Sequence, residues 1–179
     1  MTTNIIKTAT RDLHEELESL AFNVEMFEGN QSEESRAVYL MSNIEIFTVL
    51  DQVVKTNSLV RTPSLEADVS QLHSLSVWSE PSSIAIAYAM YLEKVCSDVR
   101  PHIYLNYMGF MYGGQIMKKK YPSSASAYEF EDIVSSRQTI RDRYCKEPTN
   151  AFIEEVKLGF RWHIAISKDH DKMTTRHVG

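Results

Sequence analysis

Cysteine is scarce in this chain: Cys96 and Cys145 are the only two among 179 residues, far apart and in no C-x-x-C spacing. That pattern supports neither a disulfide scaffold nor a zinc knuckle, and predicts two free thiols in a reducing compartment. Glycine and proline are also few, at six and five, which argues against low complexity and against a turn-rich β architecture. No segment alternates apolar and polar residues as a half-buried strand does, and no internal repeat is present. Neither end carries a long apolar run. MTTNIIKTATRDLHEEL lacks the core of a signal peptide and KDHDKMTTRHVG is polar, so the expectation is a cytoplasmic protein with no membrane anchor. Net positive charge is missing too: a formal charge of -5 with a pI near 5.7 does not suit a nucleic-acid partner.

Several catalytic patterns are absent as well. There is no Glu-x-x-His pair, which argues against a di-iron carboxylate bundle, and no P-loop, dinucleotide fingerprint or G-x-S-x-G elbow. Bound flavin or nicotinamide is therefore not expected. Cys145 lies between the basic residues Arg143 and Lys146 but has no recognisable base partner, and reads as an inert thiol.

What is present is ordinary globular material, 43% hydrophobic and 24% charged, of a length suited to one domain with a sizeable core. Apolar spacing predicts an amphipathic helix over about Thr10–Leu20, with Leu13, Leu17 and Leu20 on one stripe and His14 beside it. A second helix opens near Ser32 and runs past Tyr39, Phe47 and Val54. The stretch from Asn57 to Pro81 is less periodic and reads as loop with short helices around Leu65 to Leu75. Pro81 opens a core helix ending near Asp98, and Pro101 opens another that stops by Tyr121-Pro122. Further helices are expected over about Glu129–Lys146 and after Pro148-Thr149. The expected layout is one all-α domain over 1–167 and a polar, flexible tail over 168–179.

The chain is organised around HIYLNYMGFMYGGQIMKKKY, from His102 to Tyr121. Each glycine in a helix interior costs about 0.8–1 kcal/mol relative to alanine, so Gly109, Gly113 and Gly114 imply that something packs against bare backbone there. Gly109 and Gly113 stand one turn apart with Gly114 beside them, forming a slot for a flat object. Close helix–helix contact through small residues satisfies the same spacing. A second constellation is His14 with Glu18, whose i to i+4 spacing lets a carboxylate hold one imidazole nitrogen. A plain surface ion pair has the same spacing. Arg137, Arg141 and Arg143 form a third group, in which Arg137 and Arg141 share a face able to take an anion or simply to be solvated.

GFMYGGQIMKK resembles the distal-helix signature of haem oxygenases, in which Gly-Asp-x-x-Gly-Gly-Gln precedes an aliphatic residue and a lysine. Phe110 stands where that family has aspartate. Lys7, Arg11 and His14 match the family's two basic residues and proximal histidine in order and spacing, and Glu18 matches the acidic residue that stands behind that histidine. The resemblance implies an all-α haem oxygenase-like fold with haem between a proximal and a distal helix, and His14 as the iron's axial ligand. Haem would be cofactor and substrate together, opened to biliverdin, carbon monoxide and iron by O2. Electrons would come from a ferredoxin or a flavoprotein reductase, for which Lys118, Lys119 and Lys120 offer a docking surface, although a charged helix end accounts for them equally well. Lys7, Arg11, Arg137 and Arg141 would hold the propionates. Phe160 would line the pocket, His163 stands where relatives often have asparagine, and Tyr104 is a pocket-side candidate, while His102 reads as structural. Gly109, Phe110, Gly113 and Gly114 would form the distal wall. The family's aspartate orders the water that delivers protons, which phenylalanine cannot do. Phe47 stands near a position where relatives often have tyrosine. A haem-binding protein that stores, senses or delivers haem without cleaving it is therefore the competing reading.

Overall fold

The computed structural model describes residues 2–72 and 80–175, which form nine α-helices and two short 3-10 turns, with no strand among the described residues. In chain order the helices are α1 (Thr2–Ala9), α2 (Arg11–Ser19), α3 (Ala21–Glu28), α4 (Glu33–Val54), α5 (Thr62–Ser70), α6 (Ser83–Lys94), α7 (Arg100–Lys120), α8 (Ile133–Tyr144) and α9 (Asn150–Thr175). The 3-10 turns at Pro122–Ser124 and Ser126–Tyr128 join α7 to α8.

Local chemistry sets most of these boundaries. Ser32 accepts from Ser35 N–H to cap α4, and Gly29 ends α3 in the left-handed region at φ 85°. Pro63 and Pro101 lie in the first turns of α5 and α7, where a missing N–H costs nothing. The helix expected over about Thr10–Leu20 is α2; α1 precedes it, and the two break at Thr10, whose hydroxyl donates to Ile6 O at 2.9 Å and competes with the helical pattern. The helix expected from Glu129 starts only at Ile133, because Ser126–Tyr128 is held in a 3-10 turn and Asp132 caps the new start. Thr62–Ser70 supplies the short helix expected after Asn57, while the Leu75 end of that expectation lies outside the described residues.

α4 and α7 form the spine, with Leu40, Phe47 and Leu50 of α4 and Ile103, Tyr107 and Met111 of α7 essentially fully buried. By length and composition α4 has the apolar character of a membrane span. Here it buries Arg36, Asn43 and Asp51 along with its apolar face, as a core helix does. Two buried carboxylates tie the loops to this spine. Asp51 accepts from Arg61 N at 3.0 Å, from Thr62 N at 2.8 Å and from the Tyr107 hydroxyl. Asp68 accepts from Ser126 N at 2.8 Å and Ala127 N at 2.9 Å. Arg61 clamps the same turn by donating to Glu129 O at 2.6 Å. Tyr128 is thereby fixed against α7.

The polar C-terminal stretch is not a free tail through Thr175. α9 continues past residue 167, with Asp169 accepting from Ser82 Oγ at 2.6 Å and the buried His170 bonded to Ser42 Oγ at 3.0 Å. These partners lie on α4 and before α6, so the contacts that order Lys168–Thr175 are long-range. Residues 176–179 of the expected tail lie outside the described residues.

Candidate functional site

α9 is the element that joins the two sequence signatures. Gly159 presses on α7, where an added Cβ would come within 2.6 Å of Leu105 Cδ2 and 3.2 Å of His102 Nδ1. The next residue, Phe160, turns to α2 and meets the His14 ring edge-on at 5.8 Å between centroids. One turn of α9 thus packs on the helix of His14 and on the helix of the glycines.

His14 itself is exposed, and its Nδ1 lies 3.4 Å from Glu18 Oε2. A carboxylate on Nδ1 favours the proton there and leaves Nε2 with its lone pair, the arrangement of a metal-binding imidazole. Both side chains are more than half exposed, so this pair contributes little to stability and its geometry carries chemical meaning only beside a ligand. Lys7 on α1 and Arg11 at the start of α2 are exposed as well.

The three glycines of α7 do not act together. A Cβ at Gly109 would meet nothing within 4 Å, so that backbone faces open space. Gly113 has ordinary contact with the Phe27 ring at 3.7 Å. Gly114 is different: a Cβ there would lie 2.4 Å from Tyr128 Cδ1. Its place beside Gly109 in a ligand slot is therefore corrected, because the two are well separated around the helix and Gly114 serves the seat of Tyr128. Phe110 likewise turns inward. Buried, it packs against Phe47 at 4.4 Å and Tyr128 at 5.0 Å between centroids, and Phe47 in turn meets Tyr107 edge-on at 5.2 Å. Aromatic rings thus pack around Phe110 on these sides.

Arg137 and Arg141 of α8 converge on one residue the sequence did not single out, Tyr112 of α7. Arg137 lies over its ring at 3.9 Å and donates to Met111 O, while Arg141 Nη2 donates to its hydroxyl at 2.8 Å. Nε of each guanidinium is left without an acceptor. Tyr104 is buried near this group, edge-on to Phe152, and burial pushes its hydroxyl up to about 12. Arg143 instead donates to Thr56 Oγ1 at 3.0 Å and stands apart from the other two. Lys118 pairs with Glu129 at 3.1 Å, and the Lys120 stem lies against Gly29.

His163 enters a buried network. Its Nε2 is 2.9 Å from Asn106 Oδ1, Asn106 Nδ2 is 3.3 Å from the Tyr88 hydroxyl, and that hydroxyl is 2.8 Å from His102 Nδ1. His102 Nε2 then meets Glu155 Oε2 at 2.9 Å. Desolvation lowers His163 to about 4, with the neighbouring His102 adding to the effect, so the ring is neutral near pH 7. His102 is also lowered by burial, against an opposing pull from Glu155. Asn106, Tyr88 and Glu155 carry no signature in the sequence that marks them as partners; the tertiary crossing of α6, α7 and α9 creates the pairing.

Comparison with known proteins gives a consistent set. The family model described as heme oxygenase matches residues 2–150. Heme oxygenase 1 of Bos taurus is 23% identical over 216 residues, covering 94% of this chain and 74% of the relative. Heme oxygenase 1 of Homo sapiens is 22% identical over 198 residues, covering 86% and 68%. Among solved structures, heme oxygenase from Leptospira interrogans superimposes with a TM-score of 0.76 at 21% identity, over 93% of this chain and 98% of that one. Heme oxygenase-2 from Synechocystis sp. PCC 6803 in complex with heme and NO gives 0.83 at 18% identity, over 99% and 88%. At such identities the structural likeness establishes the helical fold.

Proposed function

This chain belongs to the heme oxygenase family, and from that membership we propose that it binds haem between α2 and α7 and cleaves it to biliverdin, carbon monoxide and iron, using O2 and electrons from a separate donor. The observation that carries the reading is His14, held by Glu18 at one nitrogen and by Phe160 at its ring edge, on a helix that α9 links to the open backbone of Gly109.

The residues suit the group. A Cβ-free backbone with 4 Å of clearance admits a flat ring, the His14 imidazole offers a ring nitrogen, and Arg137 and Arg141 each keep an N–H without an acceptor. In this reading His14 would hold the iron and Glu18 would fix the tautomer of its ring. Arg141, Arg137, Lys7 and Arg11 take the propionates, with Arg141 exchanging the Tyr112 hydroxyl for a carboxylate. Phe160 and Tyr104 line the pocket, and Gly109 and Gly113 form its distal wall. Bound haem supplies iron and the porphyrin on which oxygen chemistry takes place; the protein supplies orientation, exclusion of bulk water and proton control.

Proton control is where this chain departs from the family pattern, in our reading, because Phe110 replaces the distal aspartate. The buried packing of Phe110 against Phe47 and Tyr128 favours a second reading, haem binding without cleavage. Under the catalytic reading, His163 and Asn106 orient water at the backbone of Gly109 and Gly113. The donor is a ferredoxin or flavoprotein reductase, with Lys119 and its neighbours as the docking end of α7, and the site of action is the cytoplasm.

Single turnover separates the two readings. Haem-loaded protein is given electrons with catalase present, so that free peroxide cannot destroy the ring. Loss of the Soret band with growth of bilin absorption is expected for wild type, together with a changed ferric axial-ligand spectrum in His14→Ala. Stable or merely bleached haem in wild type would leave binding as the function, and an unchanged spectrum in His14→Ala would remove His14 from the iron.

A further inference from the structure

A second group of chemistry-bearing side chains meets where the segment after α6 crosses α7 and α9. Cys96 lies in the link between α6 and α7, His102 in the first turn of α7 and Glu155 in the second turn of α9. Their Sγ, imidazole nitrogen and carboxylate oxygen all fall within 4.8 Å of one another. His102 is fully buried, whereas the Glu155 side chain is 31% exposed and Cys96 half-buried. Sequence spacing cannot show such a group, since the three residues come from three elements and the chain has no C-x-x-C.

We propose that Cys96, His102 and Glu155 form a three-ligand site for one divalent cation of borderline softness, with zinc the best match. The donor set is the reason. A thiolate, a neutral imidazole and a carboxylate together carry two negative charges, which balance a dication, and one sulfur among nitrogen and oxygen donors suits zinc rather than magnesium or calcium. Zinc holds sulfur at about 2.3 Å and nitrogen or oxygen at about 2.0–2.2 Å, which brings neighbouring donor atoms to roughly 3.3–3.7 Å apart. His102 Nε2 and Glu155 Oε2 already stand 2.9 Å apart, so the ion takes the place of the proton between them. Cys96 closes the remaining distance by rotating away from Asp98 O, to which its thiol now donates at 3.1 Å.

The surroundings position the ligands. The Tyr88 hydroxyl, 2.8 Å from His102 Nδ1, fixes the ring and accepts a hydrogen bond from Nδ1–H once Nε2 binds metal, and Tyr91 donates to Glu155 at 3.0 Å. Coordination sends the thiol proton to solvent, moves the imidazole proton from Nε2 to Nδ1, and changes no oxidation state. The partial exposure of Glu155 and Cys96 leaves a mouth for a fourth ligand, water, as in zinc sites with three protein donors. None of the three ligands is assigned to haem.

The test uses the haem-free full-length chain. Wild type is expected to take one equivalent of Zn2+ by calorimetry, and Co2+ in its place should give thiolate-to-metal charge-transfer absorption. Cys96→Ser should abolish that absorption and weaken Zn2+ binding by about tenfold or more, Glu155→Gln should weaken it comparably, and Cys145→Ser should change neither. All three replacements are small, and thermal melting checks that each variant is folded. Absence of thiolate absorption in wild type, or its survival in Cys96→Ser, overturns the proposal and leaves the cluster a metal-free hydrogen-bond network.

Discussion

At the scale of the residue, arginine separates positions that sequence alone treats alike. Arg137, Arg141 and Arg143 read as one basic cluster, yet the first two reach the ring and hydroxyl of Tyr112 while the third turns to Thr56. A solvated charged face has no such convergence. Arg141 has more to gain from a propionate than from a neutral phenol, because a charge-assisted hydrogen bond is worth roughly 1.5–3 kcal/mol. Arg141→Ala is therefore expected to weaken haem binding by about ten- to a hundredfold, while Lys120→Ala, at the far end of α7, leaves it within about twofold. Haem titration followed at the Soret band measures both. Equal affinities for wild type and Arg141→Ala would take Arg141 out of the propionate set.

At the scale of the element, α7 shows what sequence could and could not specify. Its start at Pro101, its stop before Pro122 and the strain of three interior glycines are all local properties, and all were legible. Which glycine does what was not, because the answer rests on Tyr128, brought over by the Arg61 and Asp68 clamps from distant segments. The same limit hid the helical state of Lys168–Thr175 and the role of Tyr112. For the site, the order of His14, the glycines and the basic residues was readable. The inward turn of Phe110 was not, since spacing on a helix does not say which neighbour fills each side. The two glycines make opposite predictions. Gly114→Ala forces a methyl into the Tyr128 ring and should destabilise the fold by about 1–3 kcal/mol. Gly109→Ala meets nothing and should raise the melting temperature of the haem-free protein, gaining up to about 1 kcal/mol of helix propensity, while it lowers haem affinity by filling the slot. Thermal melts with and without haem test the pair. A Gly109→Ala variant that binds haem as wild type does would place the ring elsewhere.

At the scale of the whole molecule, two buried histidines and the half-buried His163 tie stability to pH through helices that are far apart in sequence. His102 and His163 join α6, α7 and α9, and His170 joins α9 to α4, so the α9 crossing depends on rings that fold neutral. Desolvation is the first cause in each case, and it holds both His163 and His170 at about 4. In the unfolded chain each returns to about 6.5. Between those values the unfolded state binds more protons than the folded state, so stability is fully present above about 6.5 and declines as pH falls toward about 4. Each histidine in that window costs up to about 1.4 kcal/mol per pH unit, and by pH 5.5 the loss should be on the order of 2 kcal/mol. For a chain of this length that lowers the melting temperature by roughly 4–8 °C. The haem-free protein should therefore melt measurably lower at pH 5.5 than at 7.5. His170→Gln, which keeps a partner for Ser42 but does not titrate, should shrink that difference even if its stability at pH 7.5 is lower. Identical melting temperatures at the two pH values would mean that these rings are not held neutral by the fold. An undiminished difference in His170→Gln would assign the acid sensitivity to His102 and His163, and so to the network where α6, α7 and α9 cross.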